Sequence, residues 1–217
     1  MKTNIEHMCS NCKQVLNISI YPVINLQSDN ELYNDLFSLE LFKIECPKCK
    51  KTTIIQYDTF IVDMYKKYMI YMCINDNIYK LDKTDLINSV KKNNEYKKIW
   101  DELKYTRIVT SLNELLEKLL IFDYDLNDKV IEVLKLTLYE KERLDKELYT
   151  SIHFNKIERE SLIFSCFNLT DHNVQPIDVS VDIKYYNIML DKIGGLPQET
   201  GEFDYIDKNW AEEQLNK

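Results

Sequence analysis

Glycine is nearly missing from this chain: 217 residues hold three, and two of those are adjacent, Gly194 and Gly195. The scarcity excludes whole classes of chemistry. A G-x-G-x-x-G dinucleotide turn and a Walker phosphate loop need glycines wherever backbone must approach phosphate closely, and neither can be written here. Histidine is equally scarce, with three scattered residues, so no H-E-x-x-H pair exists, and no G-x-S-x-G elbow occurs. No apolar run approaches the length that crosses a bilayer. The opening, Met1 to His7, carries no signal-like apolar stretch and leads straight to a cysteine. The expected compartment is therefore a reducing cytoplasm, where clustered thiols favour metal over disulfides.

Charge is unbalanced but not basic. With 45% apolar and 29% charged residues the chain reads as globular and long enough to bury a core. A net charge of −8 argues against a broad surface for polyanions. Locally the sign reverses: Lys43 to Lys51 nets +3, as does Lys80 to Lys98, while Glu199 to Lys217 nets −4.

What the chain does have is two short cysteine pairs, Cys9-Ser10-Asn11-Cys12 and Cys46-Pro47-Lys48-Cys49, with 33 residues between them. Each two-residue spacer bends the backbone so that both sulfurs of a pair face one point, and two pairs complete a tetrahedron. The spacing predicts one structural Zn2+ held by Cys9, Cys12, Cys46 and Cys49, with Lys13, Lys43, Lys48 and Lys50 offsetting the excess negative charge of four thiolates. Such a site is closed and leaves no position for a substrate. The second pair also has the spacing of a thiol redox couple, but that motif opens a helix, whereas Thr52 to Ile55 reads as a strand. Cys73 and Cys166 lie in apolar runs and read as core fillers. His7 reads as a surface residue, and His153 and His172 as structural or solvated. No cofactor-binding or catalytic residue stands out.

Along the chain, Leu16, Ile18 and Ile20 alternate with polar residues as in a half-buried strand that Pro22 ends. A short helix over Asp29 to Glu40, with Leu32, Leu36 and Leu39, precedes a strand at Leu41 to Ile44. Strands are predicted for Thr52 to Phe60, Tyr68 to Ile74 and Tyr105 to Thr110, with Asn75-Asp76-Asn77 as a turn. Asp82 to Asp101 reads as a helical or loose connector. Ser111-x-x-Glu114 has the form of a capping box, opening a helix through Leu120, and a second starts at Asp125 or Asn127. The two are expected to form an antiparallel pair covering a sheet face. Leu148 to Phe154 and Leu162 to Phe167 form a hairpin about Glu158-Arg159-Glu160, followed by a strand at Ile177 to Val181. A helix over Tyr185 to Ile193 is stopped by Gly194-Gly195, with Pro197 beyond.

The two cysteine pairs, with Ile44-Glu45 before the second and Tyr68-Met69-Ile70-Tyr71 after it, resemble the CpXC-domain family of bacteria and archaea. Arg107-Ile108-Val109-Thr110-Ser111-x-x-Glu114-Leu115-x-Glu117-Lys118 and Asp128-Lys129-Val130-Ile131-Glu132 are similar to that family's helical half, and Ile206-Asp207-x-x-Trp210-Ala211 to the end of its longer members. Ser10 stands where proline is common, and Lys50 where many knuckles place glycine, which asks Lys50 for a backbone conformation glycine adopts more easily. The resemblance implies no catalytic residue, the family being known by its cysteines.

Together these readings predict an α+β protein: an N-terminal zinc-ribbon-like β unit, a packed helical pair, and a C-terminal β-hairpin-plus-helix extension. The expected division is 7–142 and 146–217. The expected function is a zinc-stabilised, non-enzymatic scaffold that binds a protein partner. The alternative is a nucleic-acid-associated regulatory module using the ribbon as its platform, which the net charge disfavours. No membrane association is expected.

Overall fold

Hairpins carry the cysteines. In the computed structural model, which describes residues 2–27, 30–74, 81–141, 144–145, 147–171, 173–193 and 201–215, β1 (Thr3–Met8) and β2 (Val15–Ile20) pair antiparallel, from Thr3 with Ile20 to Met8 with Val15. Leu16, Ile18 and Ile20 turn inward while Val15, Asn17 and Ser19 face out, the period of two that a half-buried strand imposes. After Pro22 comes β3 (Val23–Asn25), then α1 (Asn30–Phe37) with Leu36 buried, and a 3-10 turn over Glu40–Phe42 where a strand is expected. β4 (Lys43–Glu45) and β5 (Thr52–Ile54) make the second hairpin, Glu45 opposite Thr52. Its base is anchored by fully buried Phe42, whose ring centroid lies 5.1 Å from that of Tyr57 and whose carbonyl accepts the Ile55 N–H.

Two compact units make up the chain: Met1–Leu112 with Gly201–Asp204, and Asn113–Thr200 with Tyr205–Lys217. In the first, β6 (Thr59–Asp63), β7 (Tyr68–Met72) and β8 (Tyr105–Val109) join β3 in a sheet of order β3-β6-β7-β8, with antiparallel pairing at the centre and parallel pairing on either side. β7 buries Tyr68, Met69, Ile70 and Met72 without alternation because both its faces are covered. The lysine-rich connector is helical: α2 (Lys83–Lys91) is capped by the Asp82 carboxylate, α3 (Asn94–Ile99) by Asn93. Leu86 and Val90, one turn apart, pack with Val62, Met69, Trp100, Ile108 and Phe203, each such side chain contributing about 2 kcal/mol. A late segment closes the sheet. The Asp204 N–H donates to the Thr106 carbonyl and the Asp204 carbonyl accepts the Ile108 N–H, covering an edge that would otherwise be open.

The second unit holds all but the first residue of α4 (Leu112–Asp123), α5 (Asp128–Lys141), the sheet β9 (Ser151–Glu158), β10 (Ser161–Phe167) and β11 (Ile177–Asp182) in order β11-β10-β9, then α6 (Ile183–Lys192) and α7 (Lys208–Leu215). Asn127 opens α5, its side-chain oxygen accepting the Lys129 N–H. α5 packs on α6, α7 and β9. Ala211, fully buried, lets α7 approach, with Lys129 over the Trp210 ring and Lys208 over Tyr139. The β9–β10 turn is Arg159-Glu160, both with positive φ (48° and 62°). The expected turn at 75–77, the glycine stop and proline at 194–197, and His172 lie outside the described residues. Among the described residues no helix is long and apolar enough to cross a membrane. The architecture is α+β, as the sequence predicts.

Candidate metal centre

Each cysteine pair occupies the tip of a hairpin, and the two tips are built alike. In the first, the Cys9 N–H donates to the Gln14 carbonyl at 2.9 Å and the Lys13 N–H to the Cys9 carbonyl at 3.0 Å. In the second, the Cys46 N–H donates to the Lys51 carbonyl at 3.0 Å and the Lys50 N–H to the Cys46 carbonyl at 2.8 Å. Both turns need a left-handed residue directly after the second cysteine, and Lys13 (φ 59°) and Lys50 (φ 60°) supply it. The left-handed conformation expected at Lys50 is therefore present, and it recurs at Lys13.

The four sulfurs converge, all within 4.8 Å of one another. Cys9 Sγ lies 3.7 Å from Cys49 Sγ, and Cys12 Sγ 3.6 Å from Cys46 Sγ. A tetrahedral ion with metal–sulfur bonds of about 2.3 Å has sulfur–sulfur edges of about 3.8 Å. Disulfides need about 2.05 Å. The donor set and its spacing thus fit a metal ion, and the cysteines could hold one. Polar surroundings favour thiolate at two positions. The Cys12 and Asn11 backbone N–H groups lower the Cys9 pKa. The Asn11 side chain, then the Lys51 N–H, bring Cys49 down to about 6. At Cys12 the Gln14 N–H pulls down, yet burial and the three facing sulfurs push the thiol up to about 11, a crowding of like groups that a cation relieves. Asn11 reaches across from one knuckle to a sulfur of the other, a role invisible in the spacing alone.

The lysines are less dedicated to the sulfurs than expected. Lys13 Nζ donates to the Ser10 carbonyl, Lys43 pairs with Glu40, and Lys50 lies 3.3 Å from Glu45. Cys46-x-x-Cys49 leads into β5, a strand, so the helix that activates a redox cysteine does not follow it. Cys73 and Cys166 are buried, and burial pushes the Cys166 thiol up to about 11. His7 sits in β1, half-buried.

A second concentration of chemistry lies in the other unit and was missed in the sequence. Glu117, Lys118, Asp128, Lys129 and Glu132 are all buried. Across the α4–α5 turn, Lys118 reaches Asp128 at 3.1 Å and Glu132 at 3.4 Å, and Lys135 reaches Glu117 at 3.0 Å and, within α5, Glu132 at 3.1 Å. Burial pushes the Glu117 carboxyl up, but Lys135, His153 and Lys118 together hold it at about 2. For Glu132 burial wins over the same lysines and raises its pKa. The available signal was periodicity. Asp128, Glu132 and Lys135 share one face of α5, and Glu117 and Lys118 interrupt a leucine run, where charges are solvated only if that face is exposed.

A mixed α+β protein with a hairpin-borne four-cysteine cluster is the class that fold and site define. The model of the family described as CpXC protein matches residues 8–135, more than half of the chain, and the chain belongs to that family. The matched span holds all four cysteines and, on α4 and α5, Glu117, Lys118, Asp128, Glu132 and Lys135. No curated protein and no solved structure matches the chain.

Proposed function

We propose that Cys9, Cys12, Cys46 and Cys49 hold one structural Zn2+ and that the unit so clamped is a scaffold presenting its surface to a protein partner. The observation that carries this reading is the convergence of four sulfurs from two hairpin tips, all within 4.8 Å and two of the cross-knuckle pairs at 3.6 and 3.7 Å. Four thiolates suit zinc, and a site filled by protein sulfurs has no open position, so the metal shapes the unit and does no chemistry. Beside the knuckle, Met8 and Val15 face each other across the hairpin and are 58% and 51% exposed, an apolar cross-strand pair of the kind partners cover.

The nucleic-acid alternative draws on the lysines of 43–51. Carboxylates interrupt that run, Glu40 beside Lys43 and Glu45 beside Lys50, which supports the scaffold instead. Metal analysis of anaerobically purified chain should return one zinc per chain, lost in Cys46→Ser. A partner recovered with the wild-type chain should be lost with Met8→Glu/Val15→Glu, and filter binding to RNA and DNA at low salt should show no retention. Zinc-free wild-type protein, or retention of nucleic acid that survives these carboxylate neighbours, overturns the reading.

A further inference from the structure

His153 is placed in a way the scaffold reading does not use. β9 is the edge strand of its sheet, and Glu117 of α4 lies against that edge. One carboxylate oxygen accepts the Phe154 N–H at 2.7 Å; the other is 3.0 Å from His153 Nδ1. A carboxylate at Nδ1 fixes the imidazole proton there and leaves a lone pair on Nε2. Ser151 Oγ lies 2.9 Å from that Nε2. Ser151 and His153 are two residues apart on one strand, so their side chains leave the same face. Phe167 stacks on the imidazole, with centroids 5.2 Å apart and planes within 11°, so the ring is held in both plane and tautomer. Lys135, bonded to both Glu117 oxygens, keeps the carboxylate ionised.

These contacts make an unbroken chain: hydroxyl, imidazole, carboxylate. Its imidazole and carboxylate, but not the Ser151 hydroxyl, line a cleft of about 250 Å³ together with Leu116, Leu120, Phe167 and Asn113. Asn155 is the extra residue of a bulge that breaks the β9–β10 register beside it, a device that re-aims side chains near sites. The geometry points to an acyl-transfer site in which Ser151 is the nucleophile, His153 the general base and Glu117 the positioning residue, acting on carboxylic esters with short acyl chains. Ser151 Oγ bonds the ester carbonyl carbon as its proton passes to His153 Nε2. The tetrahedral oxyanion collapses, the C–O bond to the alcohol breaks, and His153 returns the proton to the departing alkoxide. Water, deprotonated by His153, then attacks the acyl-serine, the acid leaves, and Ser151 recovers its proton. The apolar wall of Leu116, Leu120 and Phe167 receives the acyl chain, and Asn113, exposed in the same lining, is assigned as the donor to the oxyanion. This proposal goes beyond the scaffold reading and does not involve the cysteines.

The test uses the full-length, metal-loaded chain, a fluorophosphonate reporter and p-nitrophenyl butyrate. Mass spectrometry should find the phosphonyl group on Ser151, with ester hydrolysis above background and a labelling rate that rises through a single ionisation. Ser151→Ala should abolish both, and His153→Gln should slow them by about 100-fold or more and remove the ionisation. Circular dichroism should show both variants folded. Glu117→Gln should label more slowly with a displaced pH profile, which loss of packing alone would not give. An unlabelled wild-type chain, label on any residue but Ser151, or wild-type rates in folded His153→Gln overturn it.

Discussion

The two units place their reactive groups by opposite routes. The first gathers four soft sulfurs at hairpin tips, using turns a few residues long that would form the same knuckle in many settings. The second sinks hard charges between two helices, where each carboxylate and ammonium is tolerable only because the others are there. The first kind of site is written in local spacing. The second exists only once helices have met, and its residues look ordinary until then.

The comparison is sharpest under metal removal. Zinc bound to such a knuckle pair contributes on the order of 10 kcal/mol to folding. A chelator, or Cys46→Ser, is therefore expected to abolish amide protection in 3–20 and 43–55 while leaving that of α5 and β9–β10 in place. Hydrogen exchange followed by mass spectrometry reads both at once. Unchanged protection at the hairpins would mean that the strands, not an ion, hold the sulfurs together.

Breaking the charge cluster should cost less, and only in the second unit. Lys135→Met leaves Glu117 and Glu132 facing each other without their shared cation, for a loss of about 3–5 kcal/mol in urea denaturation. A loss under 1 kcal/mol would show that the carboxylates find other partners.

Acid should separate the two carboxylates. Glu117 is lowered in the folded chain from an ordinary 4.5 to about 2, so the stability it contributes is complete above pH 4.5 and is lost as pH falls toward 2. Glu132 is raised, so its share runs the other way and is lost as pH climbs above 4.5. Glu117→Gln should accordingly flatten the acid limb of the stability curve, and Glu132→Gln should raise stability at pH 7 relative to pH 4. A Glu117→Gln curve with the wild-type acid slope would place the acid sensitivity elsewhere.

Legibility followed the same divide. The cysteine quartet, the β2 alternation and the strand leaving the second knuckle were readable because their signals span a few residues. β1 was not: Thr3, Asn4, Glu6 and His7 dominate it, and it exists by pairing with β2. The parallel pairings of β3 with β6 and β7 with β8 unite strands far apart in sequence, and no local pattern encodes them. Glu117, Lys118 and Glu132 were visible as residues resembling the CpXC family, but their burial was not, because a charge on a helix reads as solvated by default. His153 read as an isolated histidine until folding brought Glu117 to its Nδ1.

The smallest effects test a habit the units share. Each turns its hairpins through left-handed residues that are not glycine: Lys13 and Lys50 in the first, Arg159 and Glu160 in the second. A side chain in that conformation costs roughly 1 kcal/mol that glycine avoids. Lys13→Gly and Lys50→Gly should therefore each stabilise the metal-loaded chain by up to about 1 kcal/mol, less what glycine's freer unfolded chain takes back. Arg159→Asn with Glu160→Gly should do more, because two consecutive positive φ values define a type I′ turn, for which Asn-Gly is the favoured pair. The knuckle variants alone should also change metal affinity, since Lys50 directly follows Cys49 and its N–H closes the turn on Cys46. If zinc competition with a chromophoric chelator shows Lys50→Gly binding more weakly, the lysine's charge outweighs the strain relieved, and the knuckle keeps it for the metal's sake. Tighter binding would assign the cost to backbone alone and make the two units' turns equivalent.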